Sequence, residues 1–403
     1  MRPSSIAAGV LAVIIAGVVV QVVRPVPTVA AKGSIATTKT VPGSLPSLPW
    51  PKGVEADVAI SGLGNLPQHG PSQSLPIGSM AKMMTAYLVL KAHPLSQGMN
   101  GPSLTVTAAD VALYQHDVTT QQSVMPVVAG EKLSERTLLE GLLVPSGNNV
   151  ATMLAEWVGG SVPNFTAAMN RTAKKLGLRH TQYHGPVGLD SRTVSTVADQ
   201  IRLANLLMKN STFREIVAMP AMTVPGQTNL DYNYNYLVGH QGIIGVKTGS
   251  TIAAGGCVVL AKDITLDGTP HIAYAAVIGQ QATAQKSQLQ ASLADANALI
   301  QALGPKAVSR ATLVTPEERV GTMTVPWASN PVPLVATKGV AVLSWPGTRY
   351  HEKLVLRVPK THAIPKGTVV GSLQVTLGRR TMTVPVKTGR AVTPPSIAYR
   401  LVR

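Results

Sequence analysis

Three short motifs hold the side chains with which this sequence could do chemistry. Ser79-Met-Ala-Lys82 is the only S-x-x-K in the chain, and a spacing of three residues puts a hydroxyl and an amine on one face of a helix. A buried lysine favours its neutral amine, which can take the proton of a nearby serine hydroxyl. The motif therefore predicts a serine nucleophile with a lysine base. The alternative is that Ser79 is a helix N-cap and Lys82 extends into solvent.

The second motif, Ser146-Gly-Asn148, follows a proline between two helical runs. A Ser and an Asn two residues apart in a glycine-containing turn can both point into one cleft. Ordinary turn chemistry also explains these residue types, because Pro, Ser, Gly and Asn all favour turns. Taken alone, the motif leaves both interpretations open.

The third motif, Lys247-Thr248-Gly249-Ser250, lies just before an apolar run that is typical of a strand. At a strand edge, the Lys and Thr side chains would face a cleft and the Gly would let a substrate backbone approach closely. A second copy, Lys387-Thr388-Gly389, ends a β-type run near the C-terminus. We expect that copy to be a solvated strand end.

The three motifs in this order are far more specific than any one of them. They resemble the serine DD-peptidases and β-lactamases, and most of all the D-alanyl-D-alanine carboxypeptidases among the low-molecular-mass penicillin-binding proteins. The resemblance extends to the sequence around the motifs and covers roughly residues 54–303. The segment after residue 305 is similar to the C-terminal domain of many members.

The resemblance implies a role for each matched residue. Ser79 would be the acylated nucleophile and Lys82 its general base. Ser146 would relay a proton toward the nitrogen of the departing D-alanine. Asn148 would hold the peptide backbone of the substrate, and Lys247 would supply positive potential.

The remaining residues of the third motif would complete the substrate site. By the same resemblance, Thr248 would bind the terminal carboxylate, Gly249 would line the site, and the backbone N–H groups of Ser79 and Ser250 would form the oxyanion hole. The reaction would be acyl transfer from a peptidoglycan stem peptide through an acyl-enzyme, with water as acceptor and with no metal or cofactor. β-Lactam antibiotics would be covalent inhibitors.

Strand and helix patterns indicate how these motifs are positioned. β-Type runs occur at residues 57–61, 256–261 and 271–278, and helical stretches with start signals at Ser134, Ser161 and Ser195-Thr196 lie between them. This order predicts an α+β fold, with a β-lactamase/transpeptidase-like sheet covered by helices. The short β runs after residue 305 predict a small all-β, sandwich-like domain.

Four segments follow from these patterns. Residues 1–30 are predicted to be a signal peptide or membrane anchor, residues 31–53 a Pro-rich linker, residues 54–304 the DD-peptidase catalytic domain, and residues 305–403 a basic all-β domain. The last segment ends in only a few residues after a Pro-Pro pair, too few for a membrane-binding amphipathic helix.

The N-terminal segment predicts the compartment. The run from Ile6 to Val23 carries no charge, and its length lies between that of a long signal-peptide core and that of a short membrane span. A small-residue cleavage site is available at Val29-Ala30-Ala31. Whether or not the segment is removed, we expect the rest of the chain to be exported to the bacterial cell envelope, as a secreted or a membrane-anchored protein.

Charge and composition narrow the possible partners. The chain carries 35 Lys and Arg against 18 Asp and Glu, a net charge of +17. Fifteen of those basic residues and three of the acidic ones lie after residue 303, a net of +12. With export and an aromatic content of 4%, this argues against nucleic acid and predicts contact with a membrane or an anionic wall polymer. The one cysteine, Cys257, excludes internal disulfides and is predicted to be a buried apolar residue.

Two rival functions remain at this point. A β-lactamase of the same fold would use a glutamate about thirty residues beyond the second motif, but between Glu156 and Asp199 the only acidic residue is Asp190. We therefore expect slow turnover of penicillin and inhibition. The other rival is a non-catalytic wall-binding protein. The basic C-terminal segment supports this alternative, whereas the three intact motifs argue against it.

Overall fold

A computed structural model describes residues 3–26, 28–29, 36–45, 47–66, 73–224, 226–303, 307–359, 361–378 and 380–402. The chain divides into two compact units. The central unit runs from Pro46 to Ala307, and the β unit combines Met1–Leu45 with Val308–Arg403. The N-terminal part of the β unit contains helix α1 (Pro3–Val23) and strand β1 (Ala36–Thr40).

The central unit contains eleven of the strands that the structure describes and eight α-helices. The strands are β2 (Glu55–Ile60), β3 (Gly64–Asn65), β4 (Leu75–Pro76), β5 (Ser103–Thr105), β6 (Lys132–Ser134), β7 (Val194–Ser195), β8 (Ala221–Thr223), β9 (Leu230–Tyr232), β10 (Ile243–Thr251), β11 (Gly255–Leu266) and β12 (Thr269–Gln280). The helices are α2 (Lys82–Ala92), α3 (Ala108–Thr119), α4 (Glu135–Leu143), α5 (Asn148–Gly159), α6 (Val162–Leu176), α7 (Val197–Leu207), α8 (Ser211–Val217) and α9 (Gln288–Ala302).

A five-stranded antiparallel sheet, in the order β10-β11-β12-β2-β3, forms one layer of the central unit. Consecutive residues of β11 and β12 are buried, so both faces of the sheet are covered. Helices α7 and α9 pack on the central strands, while α2, α4, α5 and α6 pack on one another and share one apolar core with the sheet. The α+β fold with a sheet covered by helices is confirmed.

The helix starts predicted from the sequence are also observed. The side chains of Ser134, Ser161 and Thr196 accept hydrogen bonds from backbone N–H groups at the starts of α4, α6 and α7, which satisfies donors that a helix leaves unpaired. Helix α6 ends at Gly177 in a left-handed conformation.

The β unit continues after the central unit with seven strands and a short helix. These elements are β13 (Ser309–Val314), β14 (Arg319–Met323), β15 (Val332–Ala336), β16 (Val340–Ser344), β17 (Arg349–Leu356), β18 (Val369–Leu377), β19 (Arg380–Thr388) and α10 (Ile397–Val402). Six strands pair in the order β1-β17-β18-β19-β15-β14, and β13 pairs with β16. Apolar residues of both sheets, among them Leu313, Val342, Leu354 and Val384, form one core, as expected of a sandwich-like domain.

Strand β1 lies inside residues 31–53, for which the sequence predicts a Pro-rich linker rather than a strand. Residues Ala36–Thr40 pair antiparallel with β17, so that Thr38 lies opposite His351. Lys39 forms an ion pair with Glu352 at 2.8 Å. The Thr-rich stretch carries no apolar alternation, and its strand structure comes from pairing with an edge more than 300 residues away in the sequence.

Helix α1 covers the apolar run of the predicted leader. Many of its side chains from Val10 onward are exposed, and Val22 O accepts a hydrogen bond from Arg400 of α10. Among the described residues, no helix combines the length and apolar character needed to cross a membrane. Two residues of the predicted cleavage site, Ala30 and Ala31, lie outside the described residues.

Candidate active site

Ser79 lies in a short 3₁₀ turn, Gly78–Ala81, that leads directly into α2. Met80 N donates to Ile77 O, which closes the turn. The side chain of Ser79 makes no capping bond at this helix start. Its Oγ instead lies 2.9 Å from Nζ of Lys82. The prediction that the two side chains share one face of a helix start is therefore met, and the N-cap alternative is wrong.

Lys82 is completely buried, with an exposed fraction of 0%. Besides Ser79 Oγ, three oxygen atoms accept hydrogen bonds from its Nζ: Ser146 O at 2.7 Å, Ser146 Oγ at 3.2 Å and Asn148 Oδ1 at 2.5 Å. The charge of Lys247 also acts on this amine. Burial, and then that charge, hold the pKa of Lys82 well below its ordinary value of 10.5. A lysine extending into solvent is excluded.

The loop between α4 and α5 brings Ser146 to this amine. Ser146 has a φ of 62°, a left-handed conformation that costs a non-glycine residue about 1 kcal/mol. Gly147 N donates to Gly141 O at 2.8 Å, and a Cβ on Gly147 would lie 3.2 Å from Met125 N. The loop is thus tightly packed rather than an exposed turn, so the interpretation as ordinary turn chemistry is insufficient.

Lys247 reaches the same loop from β10. Its Nζ donates to Ser146 Oγ at 3.0 Å and to Thr248 O at 3.1 Å. Burial lowers the pKa of Lys247 to about 7. Two amines with depressed pKa values therefore bind the hydroxyl of Ser146. Lys82 is 64 residues and Lys247 101 residues from that serine in the sequence.

Gly249 sets the distance between β10 and the turn that carries Ser79. A Cβ on Gly249 would lie 2.5 Å from Ile77 O, 2.9 Å from Ser79 N and 3.0 Å from Met80 N. All three atoms belong to the backbone and cannot rotate away. The glycine of the third motif is therefore required for close packing of the strand against the turn.

The two hydroxyl residues of the third motif lie on the same strand but outside the hydrogen-bonded cluster. Thr248 is buried, and its carbonyl accepts from Lys247. Ser250 is exposed, and its Oγ donates to Gln288 Oε1 at 3.1 Å. Ser250 N is nevertheless close to the turn, since a Cβ on Gly78 would lie 3.1 Å from it.

Several neighbours of the cluster were not singled out from the sequence. Gln122 Oε1 accepts from Asn148 Nδ2 at 2.7 Å, which orients the amide so that Oδ1 faces Lys82. Asn149 binds both backbone groups of Met125. No local signal identifies Gln122, whereas the second Asn of the S-G-N-N sequence could have drawn attention to Asn149.

Asp117 of α3 is a further residue that the sequence did not indicate. Its side chain is buried, and its charge raises the pKa of Lys82, against the larger effects of burial and of Lys247. Burial in turn raises the pKa of Asp117 itself. Among the described residues, Asp117 is thus the acidic side chain whose charge acts on Lys82.

The sequence also led to predictions for two features outside the site, Cys257 and the second K-T-G. Cys257 is buried, as expected, with a pKa that burial raises to about 12. The second K-T-G ends β19, but Thr388 is buried and donates to Pro365 O, while Lys387 pairs with Glu317. The prediction that this motif ends a strand is confirmed, whereas the prediction that the strand end is exposed to solvent is wrong. Across the described residues, no three His, Cys, Asp or Glu side chains are grouped to hold a metal ion.

Comparison with known proteins gives consistent results. Residues 66–275, just over half of the chain, match the family described as D-alanyl-D-alanine carboxypeptidase. The D-alanyl-D-alanine carboxypeptidase of Streptomyces sp. strain K15 is 32% identical over 200 residues, which are 46% of this chain and 67% of that protein. The D-alanyl-D-alanine carboxypeptidase DacF of Bacillus subtilis is 29% identical over 191 residues, 46% of this chain. The match spans about half of that relative, 47% of its length.

A solved structure extends the likeness in fold to the β unit. Penicillin-binding protein 5 from Haemophilus influenzae aligns with a TM-score of 0.57 and 20% sequence identity, covering 88% of this chain and all of that one. This similarity concerns the fold alone. It agrees with a helix-covered sheet accompanied by a separate β domain.

Proposed function

The chain belongs to the D-alanyl-D-alanine carboxypeptidase family, and from that premise we propose that it removes the terminal D-alanine of peptidoglycan stem peptides through an acyl-enzyme on Ser79. The observation that carries the proposal is a hydrogen-bonded cluster in which the half-buried Ser79 meets four buried side chains, those of Lys82, Ser146, Asn148 and Lys247. It contains a nucleophile, a base and a proton relay within hydrogen-bond distance of one another, which is the arrangement that nucleophilic catalysis requires.

Lys82 is the general base because its surroundings favour a neutral amine. Ser146 O and Asn148 Oδ1 can only accept hydrogen bonds, so they take the two N–H groups of a neutral amine. The lone pair is then free to receive the hydroxyl proton of Ser79, 2.9 Å away. The serine oxygen attacks the carbonyl carbon of the penultimate D-alanine as that proton passes to Lys82.

Ser146 then delivers a proton to the leaving nitrogen. Its Oγ is bound to the amines of both Lys82 and Lys247, so a proton taken from Ser79 can pass from Lys82 through Ser146 to the nitrogen as the C–N bond breaks. Lys247 in its charged form stabilises the negative charge that develops on the way. Water, deprotonated by the again neutral Lys82, then attacks the acyl-enzyme. Lys82 returns that proton to Ser79 Oγ, 2.9 Å away, as the bond to the serine breaks and the shortened peptide leaves.

The rest of the third motif binds the substrate. The backbone N–H groups of Ser79 and Ser250 form the oxyanion hole, which the close packing at Gly249 supports. Thr248 and Lys247 bind the terminal carboxylate, and Asn148 holds the peptide backbone. These roles need no metal or cofactor.

Fluorescent penicillin labelling, with D-alanine release from a peptide ending in D-Ala-D-Ala, tests the proposal. We expect labelling and D-alanine release from the wild type and neither from Ser79→Ala. A Cys257→Ser variant is the matched control, because it changes one buried atom outside the cluster. A wild type that is neither labelled nor releases D-alanine would favour the non-catalytic alternative.

Asp190, the only acidic residue of the sequence between Glu156 and Asp199, is not free to act as the base of a β-lactamase. The carboxylate of Asp190 accepts from Arg192 at 2.6 Å, and these hydrogen bonds hold its pKa well below the ordinary value. We therefore expect penicillin to remain bound as an acyl-enzyme. Rapid, repeated penicillin hydrolysis without accumulation of that intermediate would favour the β-lactamase alternative.

The family acts on the cell wall, and we propose that this chain acts outside the cytoplasm, retained by its N-terminal segment or secreted, with the β unit in contact with an anionic wall polymer or membrane. Arg349 and Lys353 are exposed on β17, whereas Glu352 between them is buried and paired with Lys39. The pairing of the acidic residue leaves this strand with a cationic outer face.

Neutralising that face tests the contact. We expect Arg349→Gln/Lys353→Gln to weaken binding to anionic wall polymer in a salt-dependent way, while penicillin labelling stays at the wild-type rate. The matched control is Lys174→Gln/Lys175→Gln, which removes two exposed lysines from α6 of the central unit. Equal binding by all three proteins would contradict the assignment.

A further inference from the structure

Three tyrosines, which we call the tyrosine stripe, lie on the central unit from the last residue of β9 into the segment that leads to β10. Tyr232, Tyr234 and Tyr236 have exposed fractions of 70%, 43% and 53%. The residues between them, Asn233 and Asn235, are buried. Tyr232 ends β9, Tyr234 lies in a bend and Tyr236 in a turn, so exposed tyrosines alternate with buried asparagines and three aromatic side chains face solvent within five residues.

The buried asparagines hold this segment in place. Asn233 Nδ2 donates to Met219 O at 3.0 Å, and Asn233 Oδ1 accepts from Asn235 N at 2.8 Å. Asn235 Oδ1 accepts in turn from Leu237 N. The tyrosine stripe is thus built on a backbone that side-chain hydrogen bonds fix, which lowers the entropy lost when a ligand binds.

The stripe is connected to the catalytic cluster. The hydroxyl of Tyr234 lies 3.3 Å from Ser123 Oγ, and Ser123 O accepts from Asn148 N at 2.7 Å. Asn148 Oδ1 in turn accepts a hydrogen bond from Lys82. The stripe therefore borders the cleft on the side of the second motif, a few residue contacts from Ser79.

The chemistry of the segment favours a neutral ligand with flat apolar faces and hydroxyl groups. Between Gln227 and Gly239 the sequence has no Lys or Arg, although the chain as a whole carries a net charge of +17. Phosphate-bearing polymers would need cations here. Tyrosine combines an apolar ring face with a hydroxyl. A pyranose ring complements both, because its C–H face can stack on the aromatic ring and its hydroxyls can hydrogen-bond to the tyrosine hydroxyl.

We propose that the tyrosine stripe binds the glycan to which the stem peptide is attached, and that it makes the protein prefer glycan-linked substrates. This inference rests on the proposed function. When the scissile bond is at Ser79, the four stem-peptide residues that precede it extend about 13 Å, so the first sugar lies near the rim of the cleft. The stripe would thus recognise a part of the substrate that takes no part in the bond cleavage.

The test compares two substrates, a free pentapeptide ending in D-Ala-D-Ala and the same pentapeptide on an N-acetylglucosaminyl-N-acetylmuramyl disaccharide. We expect wild-type kcat/KM to be about tenfold higher for the glycan-linked form, and Tyr232→Ala/Tyr236→Ala to abolish that preference. Tyr234 is kept because its hydroxyl contacts Ser123. Tyr232→Phe/Tyr236→Phe keeps the ring faces and should retain most of the preference, as should the control Met99→Ala, which trims an exposed side chain elsewhere on the unit.

A second readout does not depend on catalysis. Glycan strands freed of peptide should bind the wild type and the Phe variant, and bind the Ala variant at least several-fold more weakly. An absence of D-alanine release from either substrate would contradict the proposed function, while the glycan-binding comparison would still decide the role of the stripe. Equal substrate ratios and equal glycan binding in wild type and Ala variant would overturn the proposal, as expected if a protein partner or the peptide occupied the stripe.

Discussion

Lys82 and Lys247 place their amines on one hydroxyl, with Nζ to Ser146 Oγ distances of 3.2 and 3.0 Å. Two full positive charges this close repel each other strongly in a buried site. The charge of Lys247 is accordingly one of the causes that lower the pKa of Lys82. The pair therefore favours one charged and one neutral amine, which is the combination that a base and an electrostatic stabiliser need.

The lysine pair predicts a bell-shaped pH dependence of penicillin acylation. The rate should rise as Lys82 loses its proton, and it should fall above about pH 7 as Lys247, whose pKa burial lowers to about 7, becomes neutral. Because the two titrations are coupled, the two limbs belong to the pair. Stopped-flow acylation from pH 5 to 10 measures the profile.

A Lys247→Arg variant provides the control for this profile, because a guanidinium stays charged throughout that range. We expect it to acylate more slowly and to lose the decline above about pH 7. A wild-type rate that keeps increasing to pH 10 would contradict the assignment of the charge to Lys247.

Ser146 combines the hydroxyl that we propose as the proton relay with a left-handed backbone, and two substitutions separate these features. Ser146→Ala and Ser146→Gly both remove the proton relay, so each should lower D-alanine release about a hundredfold. Only the glycine variant relieves the φ of 62°, so it should be more stable than the alanine variant by about 1 kcal/mol. Urea unfolding compares the stabilities. Near-wild-type turnover in either variant would rule out the relay.

The packing at Gly249 predicts that one added methyl group disables the site. Gly249→Ala must push β10 away from the turn that carries Ser79, because the new Cβ would meet backbone atoms at 2.5–3.0 Å. Misplacement of a catalytic group by about 1 Å costs about a hundredfold in rate, so penicillin acylation should fall at least that far.

Gly130→Ala, in the central unit, is the control for this substitution, because it strains a backbone φ of 84° but nothing lies within 4 Å of the added Cβ. Its acylation rate should equal that of the wild type. A Gly249→Ala variant that acylates normally would show that the strand can shift without disturbing Ser79.

Glu135 predicts a pH dependence of stability that is separate from catalysis. Its side chain is buried, neither carboxylate oxygen has a hydrogen-bond partner among the described residues, and burial raises its pKa from 4.5 to about 7. The folded state thus binds a proton that the unfolded state releases, so stability is lost as the pH rises from about 4.5 to 7. That loss amounts to about 3 kcal/mol.

Glu135→Gln should remove this loss. We expect the variant to match the wild type near pH 4 and to be more stable at pH 8, in urea unfolding of the central unit. Equal stabilities at both pH values would mean that water reaches the carboxylate and that its pKa is ordinary.

Much of the site could be predicted from local sequence. The S-x-x-K spacing placed Ser79 and Lys82 together, and helix-start signals at Ser134 and Ser161 were correct because a cap depends on residues three positions apart. The strand Ala36–Thr40 could not be predicted, since its Thr-rich sequence lacks an apolar alternation and its partner β17 lies far along the chain.

The sequence by itself predicted the nucleophile, its base and the order of the motifs, because these depend on residue type and short spacing. Only the tertiary structure decided that Lys247 and Lys82 both bind the hydroxyl of Ser146, although Lys247 is 101 residues from that serine. The structure likewise decided that Gln122 orients Asn148. The tertiary structure also decided that the tyrosine stripe is exposed and that Tyr234 contacts Ser123. Such contacts depend on how the sheet and the helices pack, and no local pattern of residues encodes a distance between elements that are remote in sequence.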